Sequence, residues 1–277
     1  MRIACFVFVL LLAAPAAADT YPWLPDTEAA PVQRLDAAFA PPEGFSRVAA
    51  VDTSYAAWLR GLPVRTDRRH VLSYAGARLS APSAGVVLLD VGNRNLQQCA
   101  DSVIRLHAEY QWHRGNADAL GYHFTSGDLS TWKAWRRGER FKVKGAKVSR
   151  VRGGGSKSDH KAFRDYLDHV FRYAGTRSLG RDSDEIDGAL MAGDFFVEGG
   201  GPGHAVMLLD VAVHKDGRRV ALVGQGYLPA QEFHVLQAPG PHTLDGVWFL
   251  LPDKGGVLDT PSWRPFPRSS ARRFKVQ

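Results

Sequence analysis

A long apolar segment followed by a tight turn constrains the fold of this chain more than any other feature. Residues 205–213 are apolar except for Asp210, and a polar segment containing Asp216 and Gly217 follows them. Asp-Gly readily adopts the backbone twist that antiparallel strands require, so a second strand is expected over 219–224. Further short strands are predicted at 195–198, 232–236 and 247–250. The C-terminal half is therefore expected to be rich in β-structure.

The N-terminus has the pattern of a secretory signal peptide over residues 1–18. Arg2 supplies the positive charge, an apolar run follows, and three alanines precede Asp19. The apolar run is too short to cross a bilayer as a helix, so no transmembrane segment is expected and the protein is predicted to be exported, to the periplasm or beyond. Residues 19–44 are predicted to form an extended arm, and residues 45–277 a single domain.

Helices are predicted in the first half of that domain. Ser54 can cap a short helix through Arg60, a buried strand is expected over 86–91, and Asn95 can cap the helix that follows it. Apolar residues then recur at helical spacing over 96–112, which places Cys99 in the first turn of a helix. A second helix is predicted over 159–174. Helices and strands together indicate an α+β domain.

Cys99 is the leading candidate for a nucleophile in this sequence. The chain has two cysteines, and removal of the signal peptide would leave Cys99 alone. A thiol in the first turn of a helix lies near the positive end of the helix dipole, so its pKa is expected to fall. Two other interpretations remain open: a small buried core residue, or a thiol that forms an intermolecular disulfide.

His204 is the best candidate for a base among the histidines. It follows the glycine-rich segment 199–203 and precedes the long apolar strand. A ring at that position can be exposed on one edge and packed on the other, as a general base requires. The alternative is a histidine that only forms a structural hydrogen bond at a strand end.

The order of three segments resembles the core of papain-like and NlpC-type cysteine hydrolases. They are Gln97-Gln98-Cys99-Ala100-Asp101, Gly193-Asp194-Phe195-Phe196 and Gly203-His204-Ala205-Val206. The resemblance implies an α+β fold in which the helix that carries Cys99 packs on an antiparallel sheet. It implies Cys99 as the nucleophile and His204 as the base. From the segment 221–227 it also implies Gln225 as the residue that orients the His204 ring.

Two assignments at this site stay open: the residue that orients the His204 ring, and the side chain that helps to stabilise an oxyanion. If Asp216-Gly217 forms a two-residue loop, Leu208 lies opposite Gln225, and Gln231 lies nearer to His204. Gln231 is therefore the alternative third residue. The backbone N–H of Cys99, together with the side chain of Gln98 or Gln97, could stabilise an oxyanion.

A strongly basic stretch separates the two predicted helices, within an insertion around residues 113–157. Between Lys133 and Arg152 there are nine basic residues and one acidic residue, in a chain of net charge +7. Such a stretch can be a solvated surface, or it can contact an anionic envelope polymer or lipid headgroups. Nucleic acid is not expected as a partner, because the protein is predicted to be exported and has no nucleic-acid recognition motif.

The sequence contains no motif for a cofactor or metal ion. The glycine-rich segment 153–158 lacks the lysine placement and preceding strand of a phosphate-binding loop, and His107 and His113 do not share a helix face. No cofactor is therefore predicted.

Most of the chain also resembles a bacterial family of unknown function, family 4846. The blocks that carry the resemblance are 96–101, 124–127, 193–204 and 227–232. This resemblance implies no activity. Together with the cysteine, histidine and signal patterns, it leads us to expect an exported cysteine hydrolase or acyltransferase that acts on an amide bond of the cell envelope, with peptidoglycan peptide as the first substrate to consider. The alternative is a non-catalytic envelope-binding protein of the same fold.

Overall fold

The computed structural model describes residues 21–24, 32–145 and 147–275, so the predicted signal peptide lies outside the described residues. In the described ranges the α-helices are α1 (Leu35–Ala38), α2 (Tyr55–Arg60), α3 (Cys99–His113), α4 (Trp132–Arg136), α5 (His160–Phe171) and α6 (Thr176–Arg181). The strands are β1 (Gln33–Arg34), β2 (Phe45–Arg47), β3 (Pro63–Arg65), β4 (Val71–Leu72), β5 (Arg78–Leu79), β6 (Ser83–Val87), β7 (Gly121–His123), β8 (Leu129–Thr131), β9 (Glu139–Lys144), β10 (Lys147–Arg152), β11 (Ser183–Glu185), β12 (Phe195–Glu198), β13 (His204–His214), β14 (Arg219–Gln225), β15 (His234–Leu236), β16 (Thr243–Leu244), β17 (Trp248–Leu250), β18 (Val257–Leu258), β19 (Phe266–Pro267) and β20 (Ala271–Phe274).

One large antiparallel sheet organises the molecule. Among the described residues it contains 12 strands, in the order β1-β3-β6-β15-β14-β13-β12-β20-β11, with β2 beside β13, β17 beside β14 and β16 beside β17. Smaller pairs form between β4 and β5, β7 and β8, β9 and β10, and β18 and β19. The predicted α+β fold of papain-like type is wrong, because the described chain is mostly β-structure with short helices placed around this sheet.

The physical reason for the error lies in the first third of the domain. Strands β1 to β5 have only two or three residues each, which is too short for an alternating pattern of apolar and polar residues to show. Within the segment predicted as an extended arm, β1 pairs with β3, and the side chains of Leu35 and Phe39 are buried.

The hairpin of β13 and β14 forms where the sequence predicts it. Gly217 has a φ of 92°, and the hydrogen bond from His214 N to Arg218 O closes the loop. The loop is longer than the two residues assumed from the sequence, since Val213 pairs with Arg219. The register also shifts at a β-bulge between Leu208 and Asp210.

The bulge changes which side chains of β13 face each side of the sheet. Before it, Ala205, Met207 and Leu209 belong to the core that the helices cover, whereas Val206 and Leu208 belong to a second core on the opposite face. After the bulge the alternation is offset by one residue, because Val211 joins the second core and Ala212 the first. A strand buried on both faces explains why this segment is apolar apart from Asp210.

A buried carboxylate holds two outer elements against β13. Asp210 has no exposed side-chain surface, and its oxygens accept hydrogen bonds from Arg47 Nε at 2.6 Å and Arg60 Nε at 2.7 Å. Arg47 lies on β2 and Arg60 on α2. A buried charge with two cationic partners is costly to break, so this cluster fixes both elements to the sheet.

Helix α3 begins later than predicted. Gln98, and not Asn95, is the N-cap, and Asp101 closes the capping box by accepting from the backbone N–H of Gln98 at 3.1 Å. Cys99 is therefore the first residue of α3. The helices predicted from Ser54 and over 159–174 form as α2 and α5, with Ser54 accepting from Ala57 N.

We expect the stability of the fold to depend on the neutral state of buried histidines. His107 is 4% exposed, stacks on Phe274 with 3.9 Å between ring centroids, and has its pKa lowered to about 3 by burial. Its stabilising contribution should be complete above the unfolded pKa of about 6.5 and should fall with pH below it, by about 2 kcal/mol between pH 6.5 and 5. Urea unfolding across that range measures it.

His107→Gln should remove the contribution of His107 from the change in the free energy of unfolding between pH 6.5 and 5. The reference is the wild-type protein, unfolded in urea at the same pH values. Equal slopes for the wild type and the His107 variant would contradict the expectation.

Candidate functional site

Cys99 and His204 line one cleft of about 470 Å³ at the end of the sheet where β13 begins. The first turn of α3 forms one wall, and the glycine-rich turn before His204 forms another. Tyr227, Leu228 and Trp263 also line it, together with residues of the segment 171–176. The sequence-predicted nucleophile and base therefore share one cavity.

Gly226 sets how closely the wall that carries Cys99 approaches the sheet. A Cβ atom added at Gly226 would lie 2.3 Å from Ser102 Oγ and 2.9 Å from Gln98 O. Both of those residues belong to the cap and first turn of α3. The chain can leave β14 against this turn only because residue 226 has no side chain.

Burial dominates the electrostatics of the Cys99 thiol. Burial and, to a smaller extent, the charge of Asp101 raise its pKa to about 11, against the opposing effect of the backbone N–H groups of Ala205, Ala100 and Cys99 itself. The lowered pKa expected from the first-turn position is therefore wrong. The helix N-terminus does favour the thiolate, but the loss of hydration outweighs it.

A hydrogen-bond chain fixes the His204 ring. His204 Nε2 lies 2.8 Å from Gln225 Oε1, and Gln225 Nε2 donates to Ser262 Oγ, also at 2.8 Å. The contact uses Nε2 of the ring and leaves Nδ1 available for proton transfer. The third residue implied by the papain-like resemblance, Gln225, thus contacts His204 directly, although the fold around it is different.

Aromatic rings enclose His204. The ring centroids of Tyr227, Trp263 and Phe266 lie 4.9, 5.3 and 6.0 Å from that of His204. Burial among these rings lowers the pKa of His204 to about 4. At neutral pH both His204 and Cys99 are consequently uncharged.

Of the other predicted polar residues, Gln98 lines the cleft, whereas Gln97 and Gln231 do not. Gln231 forms an isolated β-bridge with Ser73. Gln97 is fully buried and donates through Nε2 to Asp90 O. Gln98 lines the cleft as the N-cap of α3, but its side-chain nitrogen donates to Asn95 Oδ1 at 3.2 Å. The backbone N–H of Cys99, at the start of α3, is therefore the better oxyanion donor.

Three residues of the hydrogen-bond and ring contacts around His204 were not predicted from the sequence. Ser262 and Trp263 come from a segment far along the chain, and His234 contacts Gln225 from β15. The segment with Ser262 and Trp263 has no regular secondary structure, so periodicity could not place it. The pairing of Gln225 with His234 could have been found only from the register of β14 and β15.

The described residues contain neither a metal-binding cluster nor a membrane-spanning helix. No group of three or more histidine, cysteine or acidic side chains in 21–24, 32–145 and 147–275 is placed to hold a metal ion. In the same ranges, the helices are too short or too polar to cross a bilayer.

The fold and the cleft define a β-rich protein with a cysteine, a histidine and an amide side chain in one cavity. Comparison with known families identifies the group to which it belongs. The family described as domain of unknown function 4846 matches residues 35–273, so the chain is a member of that family. No curated protein and no solved structure matches it.

We expect iodoacetamide to modify Cys99 more slowly than free cysteine at pH 7. A pKa of about 11 in place of 9.0 leaves about a hundredfold less thiolate at that pH. The rate should continue to rise above pH 8. Mass mapping of the labelled protein at a series of pH values measures it, with the denatured chain as the fully reactive reference.

Asp101→Asn is the informative variant for this measurement. The Asp101 charge contributes to the raised pKa of Cys99, so its removal should accelerate labelling, chiefly above pH 8, where the carboxyl is ionised. A rate that reaches its plateau below pH 7 in the wild type would instead indicate the low-pKa thiolate expected from the sequence.

Proposed function

We propose that this protein is a cysteine hydrolase or acyltransferase that acts on an amide bond of the cell envelope. The observation that carries the proposal is the 2.8 Å contact between His204 Nε2 and Gln225 Oε1, in the wall of the cleft that Cys99 also lines. A ring held by an amide through one nitrogen and free at the other suits a general base for a thiol that lines the same cleft.

The reaction begins from a neutral pair. The Cys99 thiol transfers its proton to His204 Nδ1 as Sγ attacks the amide carbonyl carbon, and the new C–S bond places negative charge on the carbonyl oxygen. The backbone N–H of Cys99 stabilises that oxyanion. The His204 imidazolium then gives its proton to the leaving amine as the C–N bond breaks, which leaves a thioester on Cys99.

Water or an amine completes the reaction. His204 accepts a proton from the incoming nucleophile as that nucleophile attacks the thioester carbon. The C–S bond then breaks, and the His204 imidazolium returns the proton to Sγ, which restores the neutral thiol of Cys99. Water as nucleophile gives hydrolysis, and an amine gives acyl transfer.

The envelope as location and peptidoglycan peptide as substrate rest on the sequence. The signal pattern of residues 1–18 supports export, and amide bonds are abundant in the peptide part of peptidoglycan. The cleft of about 470 Å³ is of the size of small-molecule and peptide-side-chain sites.

We expect Cys99→Ala to abolish product formation with little effect on the fold. Purified sacculi, digested with a muramidase, should give peptides with a mass increase of one water after incubation with the wild-type protein, and none with the variant. The melting temperature should change by less than about 4 °C, since truncation at a cleft wall costs about 1 kcal/mol or less in a chain of this size.

Gln225→Ala is the matched variant for the base. It should retain thiol labelling at Cys99 but lower the turnover of the same peptides, because the ring loses its orienting partner. Full turnover in the Cys99 variant would refute the proposal. No turnover in any form on sacculi of several envelope types would favour a non-catalytic binding protein.

The basic stretch supports a second part of the proposal, attachment to an anionic envelope surface. In the β9–β10 hairpin, Lys142 pairs with Ser149 and Lys144 pairs with Lys147, so these lysines share one face. Phe141 points to the opposite face, where it is buried against Phe124. The lysine face is exposed and available to an anionic polymer or lipid surface.

Other basic residues of the stretch have structural partners. Arg140 stacks on Trp135 at 3.6 Å and donates to Ser156 Oγ at 2.8 Å. Arg136 pairs with Asp118. Variants that test binding should therefore leave these two arginines in place.

We expect replacement of Lys142, Lys144 and Lys147 by Ser to weaken sedimentation with sacculi and with vesicles that contain anionic lipid, and to reduce its salt dependence. Charges on an open face act over a Debye length of about 8 Å at physiological salt. The control replaces an equal number of exposed lysines elsewhere, Lys161, Lys215 and Lys254, and should bind as the wild type does.

If both triple variants bind equally, the hairpin does not carry the attachment. Labelling of Cys99 in the hairpin variant should match the wild type, since the hairpin does not line the cleft.

A further inference from the structure

We infer that His234 sets the tautomer of His204 by fixing the orientation of the Gln225 amide between them. The three residues lie on β13, β14 and β15, which are consecutive in the sheet. The inference deepens the proposed function and rests on it for its catalytic meaning. It makes His234 a positioning residue of the site, although it does not line the cleft.

The proton on His234 is placed by the main chain. Its Nδ1 lies 3.1 Å from the carbonyl oxygen of Glu232. A carbonyl oxygen only accepts, so Nδ1 carries the hydrogen. Burial lowers the pKa of His234 to about 4, so the ring is neutral at pH 7 and Nε2 carries only a lone pair.

That lone pair selects one orientation of the Gln225 amide. His234 Nε2 lies 3.4 Å from Gln225 Nε2, which donates to it. In the opposite orientation, Oε1 would face the His234 lone pair and the two acceptors would repel each other. Ser262 is the other partner of Gln225 Nε2. It does not select between the two orientations of the amide, because a hydroxyl can donate to Oε1 or accept from Nε2.

The orientation of Gln225 then fixes His204. Oε1 faces His204 Nε2 at 2.8 Å, so Nε2 must carry the hydrogen, and in the neutral ring Nδ1 carries the lone pair. Nδ1 is the nitrogen that the proposed mechanism uses as the base. In the other tautomer, Nδ1 would already hold a proton and could not accept one from Cys99.

The strand register makes this chain of hydrogen bonds, from His234 through Gln225 to His204, possible. Gln225 and His234 are direct cross-strand partners, so their side chains leave the same face of the sheet. Trp263 and Phe266, which flank the His204 ring, pack with the second hydrophobic core. The chain of hydrogen bonds therefore lies in a buried, apolar layer, where two acceptors that face each other are costly.

The test is the tautomer of His204 in the whole protein, read from long-range ¹H–¹⁵N correlations of histidine-labelled samples. The His204 signals are assigned by their loss in His204→Asn. In the wild type we expect a single species with hydrogen on Nε2. A single species with hydrogen on Nδ1 would overturn the inference without any further variant.

Two substitutions at His234 distinguish the effect of its lone pair on the His204 tautomer from the effect of its packing. His234→Phe fills the space without an acceptor, so a second His204 species with hydrogen on Nδ1 should appear. His234→Gln can present an amide oxygen to Gln225 Nε2 and should retain more of the wild-type tautomer. Ser262→Ala should also retain it, although it removes the shorter of the two hydrogen bonds.

Turnover provides the second readout. His234→Phe should lower kcat by about two- to tenfold, the range that the loss of one hydrogen bond produces, with little change in KM. A unique wild-type tautomer in His234→Phe would overturn the inference even if the wild type hydrolyses peptides. A tautomer that changes as expected in a protein without hydrolytic activity would leave the inference standing and refute the proposed function.

Discussion

The pairing of β13 with β14 is the interaction on which the rest of the structure depends. Both strands are buried, and their hairpin separates a core beneath the helices from a second core on the opposite face. Its open end presents His204 and Gln225 within hydrogen-bond distance. The sheet is thus the scaffold of the cleft, and α3 only has to bring Cys99 to an arrangement that the strands have already formed.

The site is built from neutral groups, and burial is the reason. Burial raises the pKa of Cys99 and lowers that of His204, so each group resists ionisation before a substrate arrives. An amide partner suits such a site, because Gln225 orients the ring without adding charge to a dry layer. A carboxylate at the same position would have to be buried with its charge, at a cost that only a charged ring would offset.

The sequence allowed the principal elements around the cleft to be predicted, but not the fold that joins them. The segment 205–213 was apolar enough to identify β13, and Cys99, His204 and Gln225 could be identified from local order and resemblance. The short strands β1 to β5 carried no periodic signal, so the extent of the sheet was missed and an α+β fold of papain-like type was expected. The Cys99 pKa was also mispredicted, since a helix start is visible in a sequence whereas the depth of burial is not. Ser262, Trp263 and His234 could not be found, because their proximity depends on long-range register.

The β-bulge at Leu208 and Asp210 makes β13 behave as two strands in series with opposite phase. Below the bulge, His204 faces the rings of the second core; above it, Asp210 is directed to Arg47 and Arg60. One extra residue therefore decouples the requirements of the cleft from those of the ion cluster. Substitutions in one half of β13 therefore need not change which face of the sheet the side chains of the other half occupy.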